Sequence, residues 1–166
     1  MKRSKIYKPL KDQALIGMPY LVFRDLQKGQ MVRAKDNYPI PLPALLIDIG
    51  DVRFSNLSEH QQKGDCVISI YLYMDLVTDS FDNAEMENET IELLDHMDDV
   101  FQTFEGFSIS GLTPLVRQTE YKPQYGTRFI MYRVDFASTL DSGKQIKQTT
   151  TPKPEVELKP YNFKRR

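Results

Sequence analysis

The sequence predicts an α+β domain with a mainly antiparallel sheet, the element order α-β-β-β-α-β-β and an extended C-terminal tail. Two segments have the 3.6-residue periodicity of helices, and five have the aromatic and β-branched composition of strands. Of the 166 residues, 40% are hydrophobic, which is enough for one domain with a substantial core. Beyond residue 140 the chain becomes basic and rich in Thr and Pro. We therefore expect a domain over residues 1–140 and an extended basic arm over residues 141–166.

The first element is predicted to be a helix over residues 5–16. Apolar residues recur along one side of this segment at Ile6, Leu10 and Ala14. Proline is tolerated in the first turn of a helix, so Pro9 moves the expected start to Lys8. Gly17 favours a left-handed cap and Pro19 cannot continue the helix, so both predict its end.

Three strands are predicted next. Residues 20–25 are aromatic and β-branched, and a turn follows at residues 27–30. Residues 44–50 (ALLIDIG) form the second strand, and the alternating prolines before it suit a sheet edge. Residues 65–76 (DCVISIYLYMDL) form the third strand, and its bulky side chains on both faces indicate a central position. The polar residues 51–64 are predicted to form a connection.

Two further strands are predicted after the second helix. The first covers residues 107–121, with an interruption at Pro114, and the second covers residues 127–139. Residues 122–126 (KPQYG) have the composition of a hairpin loop that joins them.

The second helix is predicted within an acidic segment, residues 79–99, which carries nine carboxylates and no Lys or Arg. Asp82 and Glu85 have the spacing of a capping box, and Gly106 supplies a stop, so we expect a helix of about 22 residues. Most of the acids lie off the apolar stripe, which is typical of a solvated face. The stripe consists of Ile91, Leu94, Met97, Phe101 and Phe104, widened by Leu93 and Val100.

A metal site is the alternative interpretation of this acidic segment. Its carboxylates lack the spacing and the central glycine of a calcium loop. Glu92, His96 and Asp99 can share one helical face, but His60 is the only other histidine that the sequence offers as a ligand. We therefore expect no metal and no cofactor, and a solvated surface that faces a partner or a DNA channel. The acids of this candidate surface are Asp79, Asp82, Glu85, Glu89, Glu92, Asp95 and Asp99.

No pattern in the sequence indicates an enzyme. Cys66 is the only cysteine, and its apolar neighbours indicate a buried strand thiol. The glycines are scattered singly, so no phosphate-binding loop is present. Strand tyrosines are a candidate base-stacking platform, although tyrosine is also an ordinary sheet residue. The four candidates are Tyr71, Tyr73, Tyr125 and Tyr132.

The net charge of −1 favours neither nucleic acid nor a membrane as a partner, but the charges are unevenly distributed. No Lys or Arg occurs from Gly64 to Val116, whereas both ends of the sequence are basic. No segment has the apolar run of a signal peptide or of a membrane helix. We expect a soluble protein made in a reducing cytoplasm.

Several segments, in their order along residues 6–140, resemble the tail completion, or tail terminator, proteins of tailed bacteriophages. Residues 20–30 (YLVFRDLQKGQ) resemble a strand of that family that ends in a Gly-Gln turn. Residues 41–52 (PLPALLIDIGDV) and 64–76 (GDCVISIYLYMDL) are similar to its paired strands. The segments LLDHMDDVFQTFEGF and YGTRFIMYRVDFASTL resemble the helix between its hairpins and the strand that closes the domain.

This resemblance implies a non-enzymatic virion protein, made in the cytoplasm of a bacterial host. It implies a ring, commonly six-fold, at the head-proximal end of the tail or in the head-to-tail neck. Such a ring binds its own copies and neighbouring neck or tail proteins, and DNA passes through it without sequence-specific binding. A connector or stopper ring of a short-tailed phage, with twelve copies, is one alternative. A small metal-dependent enzyme that uses the acidic helix is the other.

The C-terminal arm is predicted to contact a neighbouring subunit. Its apolar content is too low for independent packing, but the alternation of Val156 and Leu158 suits an extended segment that adds to another surface. The candidate contact residues of the arm are Val156, Leu158, Tyr161, Phe163, Lys164, Arg165 and Arg166.

Overall fold

The computed structural model describes residues 2–33, 40–58, 61–77, 81, 83, 85–126 and 128–141. Five strands form one sheet in the order β1-β2-β3-β5-β4, in which β1 and β2 are parallel and the other pairs are antiparallel. This arrangement confirms the predicted α+β class and the mainly antiparallel sheet. The elements are α1 (Ser4–Gly17), β1 (Phe23–Leu26), α2 (Gln30–Arg33), β2 (Ala44–Ser58), β3 (Gln61–Asp75), α3 (Glu87–Phe104), β4 (Val116–Tyr125) and β5 (Phe129–Asp141).

Helix α1 buries the predicted side, since Ile6, Leu10 and Ala14 are all buried. The start predicted at Lys8 is wrong, because α1 begins at Ser4 and contains Pro9 in its second turn. The ring of Pro9 removes the N–H that would bond to the Lys5 carbonyl. Lys5 lies on the exposed side of the helix, so water can satisfy that carbonyl.

The two glycines that were predicted to end helices act differently. Gly106 has φ +70°, so it ends α3 in the left-handed region, as predicted. The φ angle of Gly17 is not positive, so the prediction that it forms a left-handed cap is wrong. A Cβ atom at Gly17 would collide with the side chain of Thr103 on α3. Gly17 is therefore needed for the close approach of the two helices.

Strand β3 lies at the centre of the sheet, as predicted. Its alternate residues Ile68, Ile70 and Leu72 face the main core, which α1 and α3 cover. The opposite face has a smaller apolar cluster of Ala44, Leu46 and Tyr73, packed against residues from β1, α2 and the segment before β2. Helices α1 and α3 thus cover one face of the sheet, and the described residues leave the rest of the other face open.

The connection predicted at residues 51–64 is wrong, because most of it lies in strands β2 and β3. Its polar side chains hide the strand periodicity, since this end of the hairpin has little core to cover. Strand β1 begins at Phe23, later than predicted, because the Leu21 N–H donates to the Met18 carbonyl in a turn. The short helix α2 overlaps the end of the predicted turn.

The strand predicted at residues 107–121 is also corrected, since β4 begins at Val116 and runs to Tyr125. The segment before it folds into a loop that two backbone hydrogen bonds close. The Gly106 N–H donates to the Leu115 carbonyl, and the Leu115 N–H donates to the Phe107 carbonyl. Most of the predicted hairpin loop, residues 122–126, belongs to β4, which pairs with β5 through two register shifts.

Helix α3 is shorter than predicted, with 18 residues from Glu87 to Phe104. The capping box is wrong, because Met86 occupies the N-cap and Glu87 instead accepts a hydrogen bond from the Asn83 N–H. The buried stripe consists of Leu93, Met97, Val100, Thr103 and Phe104. Ile91 and Leu94 were predicted to be in this stripe, but both are exposed.

Candidate interaction surfaces

The acidic side of α3 is the first candidate surface. Glu89, Glu92 and Asp95 are exposed on it, Asp99 is partly buried, and Glu85 is exposed just before the helix. Asp79 and Asp82 lie outside the described residues. Within the described part of the chain, no group of three or more His, Cys, Asp or Glu side chains is placed to hold a metal ion.

Apolar side chains interrupt this acidic surface. Ile91 is 54% exposed and Leu94 is 56% exposed. They lie three residues apart, so they are neighbours on one side of the helix, next to the exposed carboxylates of Asp95 and Asp98. An exposed apolar pair inside a charged surface is a feature of protein contacts, because water contact with these side chains is unfavourable.

A cleft of about 320 Å³ separates the first half of α3 from the end of β3. At one side the rings of Tyr20 and His96 stack with their centroids 3.8 Å apart. Burial, and then the charge of Asp99, raise the pKa of the Tyr20 hydroxyl far above its usual range. Tyr20 therefore stays protonated at neutral pH and does not act as a base there. The cleft places apolar side chains beside the carboxylates of Glu89 and Glu92.

The end of the β2–β3 hairpin, residues 51–58 and 61–65, is the second candidate surface. Phe54 is 55% exposed and Leu57 is 62% exposed. The ring of Phe54 lies over Gly64 in the paired strand, where a Cβ atom would meet it at 2.8 Å. A groove of about 710 Å³ runs from this hairpin end to the start of β4. Its lining includes Arg53 and Asp65, so the hairpin end combines apolar and charged side chains.

The open face of the sheet contains a polar cluster that the sequence did not indicate. Arg133 donates two hydrogen bonds of 2.8 Å to the Asp135 carboxylate, and the Tyr121 hydroxyl donates a third of 3.1 Å. The guanidinium carbon of Arg133 lies 4.5 Å from the centroid of the Tyr121 ring and 5.3 Å from that of Tyr71. Although burial opposes ionisation, these hydrogen bonds and the charge of Arg133 lower the pKa of Asp135. The side-chain donors and acceptors of the cluster therefore pair with one another.

The four candidate tyrosines do not form a single platform. Tyr132 is buried in the main core on the helix side, whereas Tyr73 is buried on the opposite face. Tyr71 packs beside Arg133, and Tyr125 is exposed at the end of β4. The four side chains therefore do not form a base-stacking platform, and their places agree with the interpretation that they are ordinary sheet residues.

The remaining predicted residues divide into two groups. Cys66 is a buried strand thiol, as predicted, and its Sγ donates to the Ser138 carbonyl over 3.4 Å. Burial, and then the charge of Asp65, raise the pKa of this thiol. The arm residues lie outside the described part of the chain: Val156, Leu158, Tyr161, Phe163, Lys164, Arg165 and Arg166.

No family model matches the chain. No curated protein matches its sequence. One solved protein structure resembles 84% of this chain and 92% of its own, with 16% sequence identity and a TM-score of 0.39, which is too low to support an argument about fold or function. Among the described residues, no helix has both the length and the apolar composition needed to span a bilayer.

Proposed function

We propose that this protein is a structural component of the tail or neck of a tailed bacteriophage, where copies of it form a ring around the DNA channel. The sequence resemblance to tail terminator proteins supports the role in the virion. The observation that carries the proposal of self-assembly is the exposure of Phe54 and Leu57 at the hairpin end. These side chains do not support the core, so their hydrophobicity is available to a partner.

Contact with water is unfavourable in free energy for these two apolar side chains. Full burial of a Leu or Phe side chain is worth about 1.5–3 kcal/mol, and roughly half of each is still exposed. Completing the burial of Phe54 and Leu57 in a contact thus contributes about 1 kcal/mol each. A ring repeats the same contact around its symmetry axis, so a modest contact energy is multiplied in the closed assembly.

Charge supports a head-to-tail arrangement. The exposed acids of α3 lie in the part of the chain without Lys or Arg, whereas both ends of the sequence are basic. Opposite charges on different surfaces favour contacts between unlike surfaces of two copies over contacts between like surfaces. Acids that remain free would repel DNA phosphates, which suits a channel through which DNA moves without binding.

Assembly of the purified protein tests the proposal. Sedimentation and negative-stain imaging should show a closed ring, with six copies expected and twelve indicating the short-tailed connector alternative. Replacing Phe54 and Leu57 by Ser should shift the protein toward the monomer while the circular dichroism spectrum of the folded domain is retained, because the two side chains lie outside the core. The matched control is Val22→Ser, which changes an exposed apolar residue elsewhere. A stable monomer that is also absent from purified virions would overturn the proposal.

A further inference from the structure

The outer edge of β2 is only partly paired. Strand β1 pairs with it from Ala44 to Ile47, and the Gln27 N–H then donates to the Ile47 carbonyl over 2.8 Å. Beyond Ile47, no other described strand pairs with this edge, although β2 continues to Ser58. A long strand with one free edge is able to pair with another extended segment.

The register of the hairpin shows which residues turn their backbone groups to this free edge. In an antiparallel pair, residues alternate between those that bond to the partner strand and those that face away. The Ile47 carbonyl faces away, because it bonds to Gln27. The β3 partners of Ile47, Ile49, Val52 and Phe54 are every second residue of that strand, and one extra β2 residue bulges between Ile49 and Val52. Ile49, Val52 and Phe54 therefore turn their backbone groups to the free edge, as Ile47 does.

A groove of about 360 Å³ lies where the path of β1 would continue along this edge. The end of β1, the N-terminal part of α1 and the β2 residues up to Ile49 line it. Tyr7 and Leu26 provide apolar surface, and the basic residues Arg3 and Lys28 lie at its border. Lys28 is 3.0 Å from Asp25 and remains largely exposed. The groove therefore leaves room for an extended segment beside β2, and Asp48 in its lining offsets part of the basic charge.

We propose that residues 155–159 (EVELK) of a second copy pair with the free edge of β2 next to this groove, with Leu158 beside Phe54. The segment alternates two acidic with two apolar residues, and a proline on each side limits it to a short strand. Backbone hydrogen bonds give such strand addition its affinity, and alternate side chains give it specificity. Val156 and Leu158 share one face of the added strand, as Val52 and Phe54 do on β2, so the two apolar pairs lie side by side.

The length of the chain permits this contact. Strand β5 ends at Asp141, which pairs with Lys63 at the hairpin end. The 13 residues from 142 to 154 span at most about 45 Å when extended, which exceeds the width of a neighbouring hairpin. The choice of a second copy rests on the proposed function, because copies in a ring stand side by side.

Disulfide trapping between separately labelled copies tests the pairing. Cys66 is buried, so introduced cysteines dominate the reaction. One protein carries Phe54→Cys and the other carries Leu158→Cys, and the mixture is oxidised and run on a non-reducing gel. We expect at least ten times more linked heterodimer than with Val22→Cys in place of Phe54→Cys. Val22 is similarly exposed but lies away from the free edge.

Proline substitutions separate strand pairing from chance collision. Val156→Pro in the Leu158→Cys protein should reduce the link at least tenfold, because proline removes a backbone donor and disfavours the strand. Ile146→Pro, in the same arm but outside the segment, should leave the link unchanged. Circular dichroism of each variant checks that the domain is folded. A heterodimer yield equal to the Val22→Cys control, or insensitive to Val156→Pro, would overturn the inference.

Two further results distinguish this inference from the proposed function. A doubly substituted chain that links only within itself at every concentration would show that the arm uses its own edge, and would overturn the choice of a second copy. Rings that form in the wild type and persist with Val156→Pro, while no link forms, would overturn the inference and leave the proposed function standing. A link between copies that sediment only as open chains would support the pairing and count against the ring.

Discussion

Replacing Asp135 with Asn tests whether the polar cluster stabilises the open face of the sheet. Asp135 is only 6% exposed and accepts hydrogen bonds from Arg133 and Tyr121. Asn keeps the shape of the side chain but loses the negative charge and one acceptor oxygen. The Arg133 guanidinium then keeps its charge without an ionic partner in the cluster.

The magnitude follows from the burial of both partners. Breaking a buried ion pair by removing one member costs about 3–5 kcal/mol. The Arg133 side chain is 32% exposed, so water partly solvates the remaining charge, and we expect a loss of about 2–3 kcal/mol. For a protein of this size the melting temperature should fall by about 4–12 °C. Arg133→Met combined with Asp135→Leu should cost less than Asp135→Asn, since the double variant leaves no unpaired charge.

The pH dependence gives a second measurement. The pKa of Asp135 is lowered in the folded protein, so its stabilising contribution is present above the unfolded value of about 3.9 and is lost as the pH falls through the folded value. The stability difference between the wild type and Asp135→Asn should be constant near neutral pH and shrink below about pH 4. Chemical denaturation at several pH values measures this difference.

Asp48→Asn is the matched control, because Asp48 lies on β2 beside Ser69, a residue that also contacts the cluster. This variant should change stability by less than about 0.5 kcal/mol. If Asp135→Asn is no more destabilising than Asp48→Asn, or if its effect grows in acid, the ion pair does not contribute as argued.

Five other variants or treatments test the remaining conclusions. Asp95→Asn with Asp98→Asn should leave the melting temperature unchanged or raise it slightly, because like charges on one side of a helix repel by a few tenths of a kcal/mol. The melting temperature of the wild type should not fall in EDTA; a sharp fall would reveal a metal site. Gly106→Ala should lower stability by about 1–2 kcal/mol because φ is positive there, and Gly17→Val should lower it by about 1–3 kcal/mol through overpacking. The Cys66 thiol, buried and with a raised pKa, should react with a thiol reagent at pH 8 only after unfolding.

The sequence predicted those elements whose side chains meet the main core. The periodicity of α1 and the apolar run of β3 both reflect burial, so their places were predicted correctly. The end of the β2–β3 hairpin escaped prediction because its exposed polar side chains carry no periodicity. The start of β4 was wrong for a different reason, since a loop closed by backbone hydrogen bonds leaves no trace in the side-chain pattern.

The surfaces were harder to predict than the core. Arg133 and Asp135 lie two residues apart in a strand, which places them on one face of the sheet. The cluster also depends on Tyr71 from β3 and Tyr121 from β4, which the sequence did not place beside them. The acidic character of α3 was evident from composition, but the prediction placed two exposed residues in the buried apolar stripe of the helix. Apolar residues occur on both sides of this helix, so periodicity alone did not show that Ile91 and Leu94 are exposed.

The exposed apolar residues of α3 are separate from those that form the core. Leu93, Met97, Val100 and Phe104 are the apolar residues that bury α3 against the sheet, whereas Ile91 and Leu94 lie outside the core. The same holds for Phe54 and Leu57 at the hairpin end. Because the buried and exposed apolar sets share no residues, substitutions that weaken the proposed contacts between copies need not weaken the fold. Assembly and stability should therefore respond to different mutations, which is the separation that a protein acting through its surfaces requires.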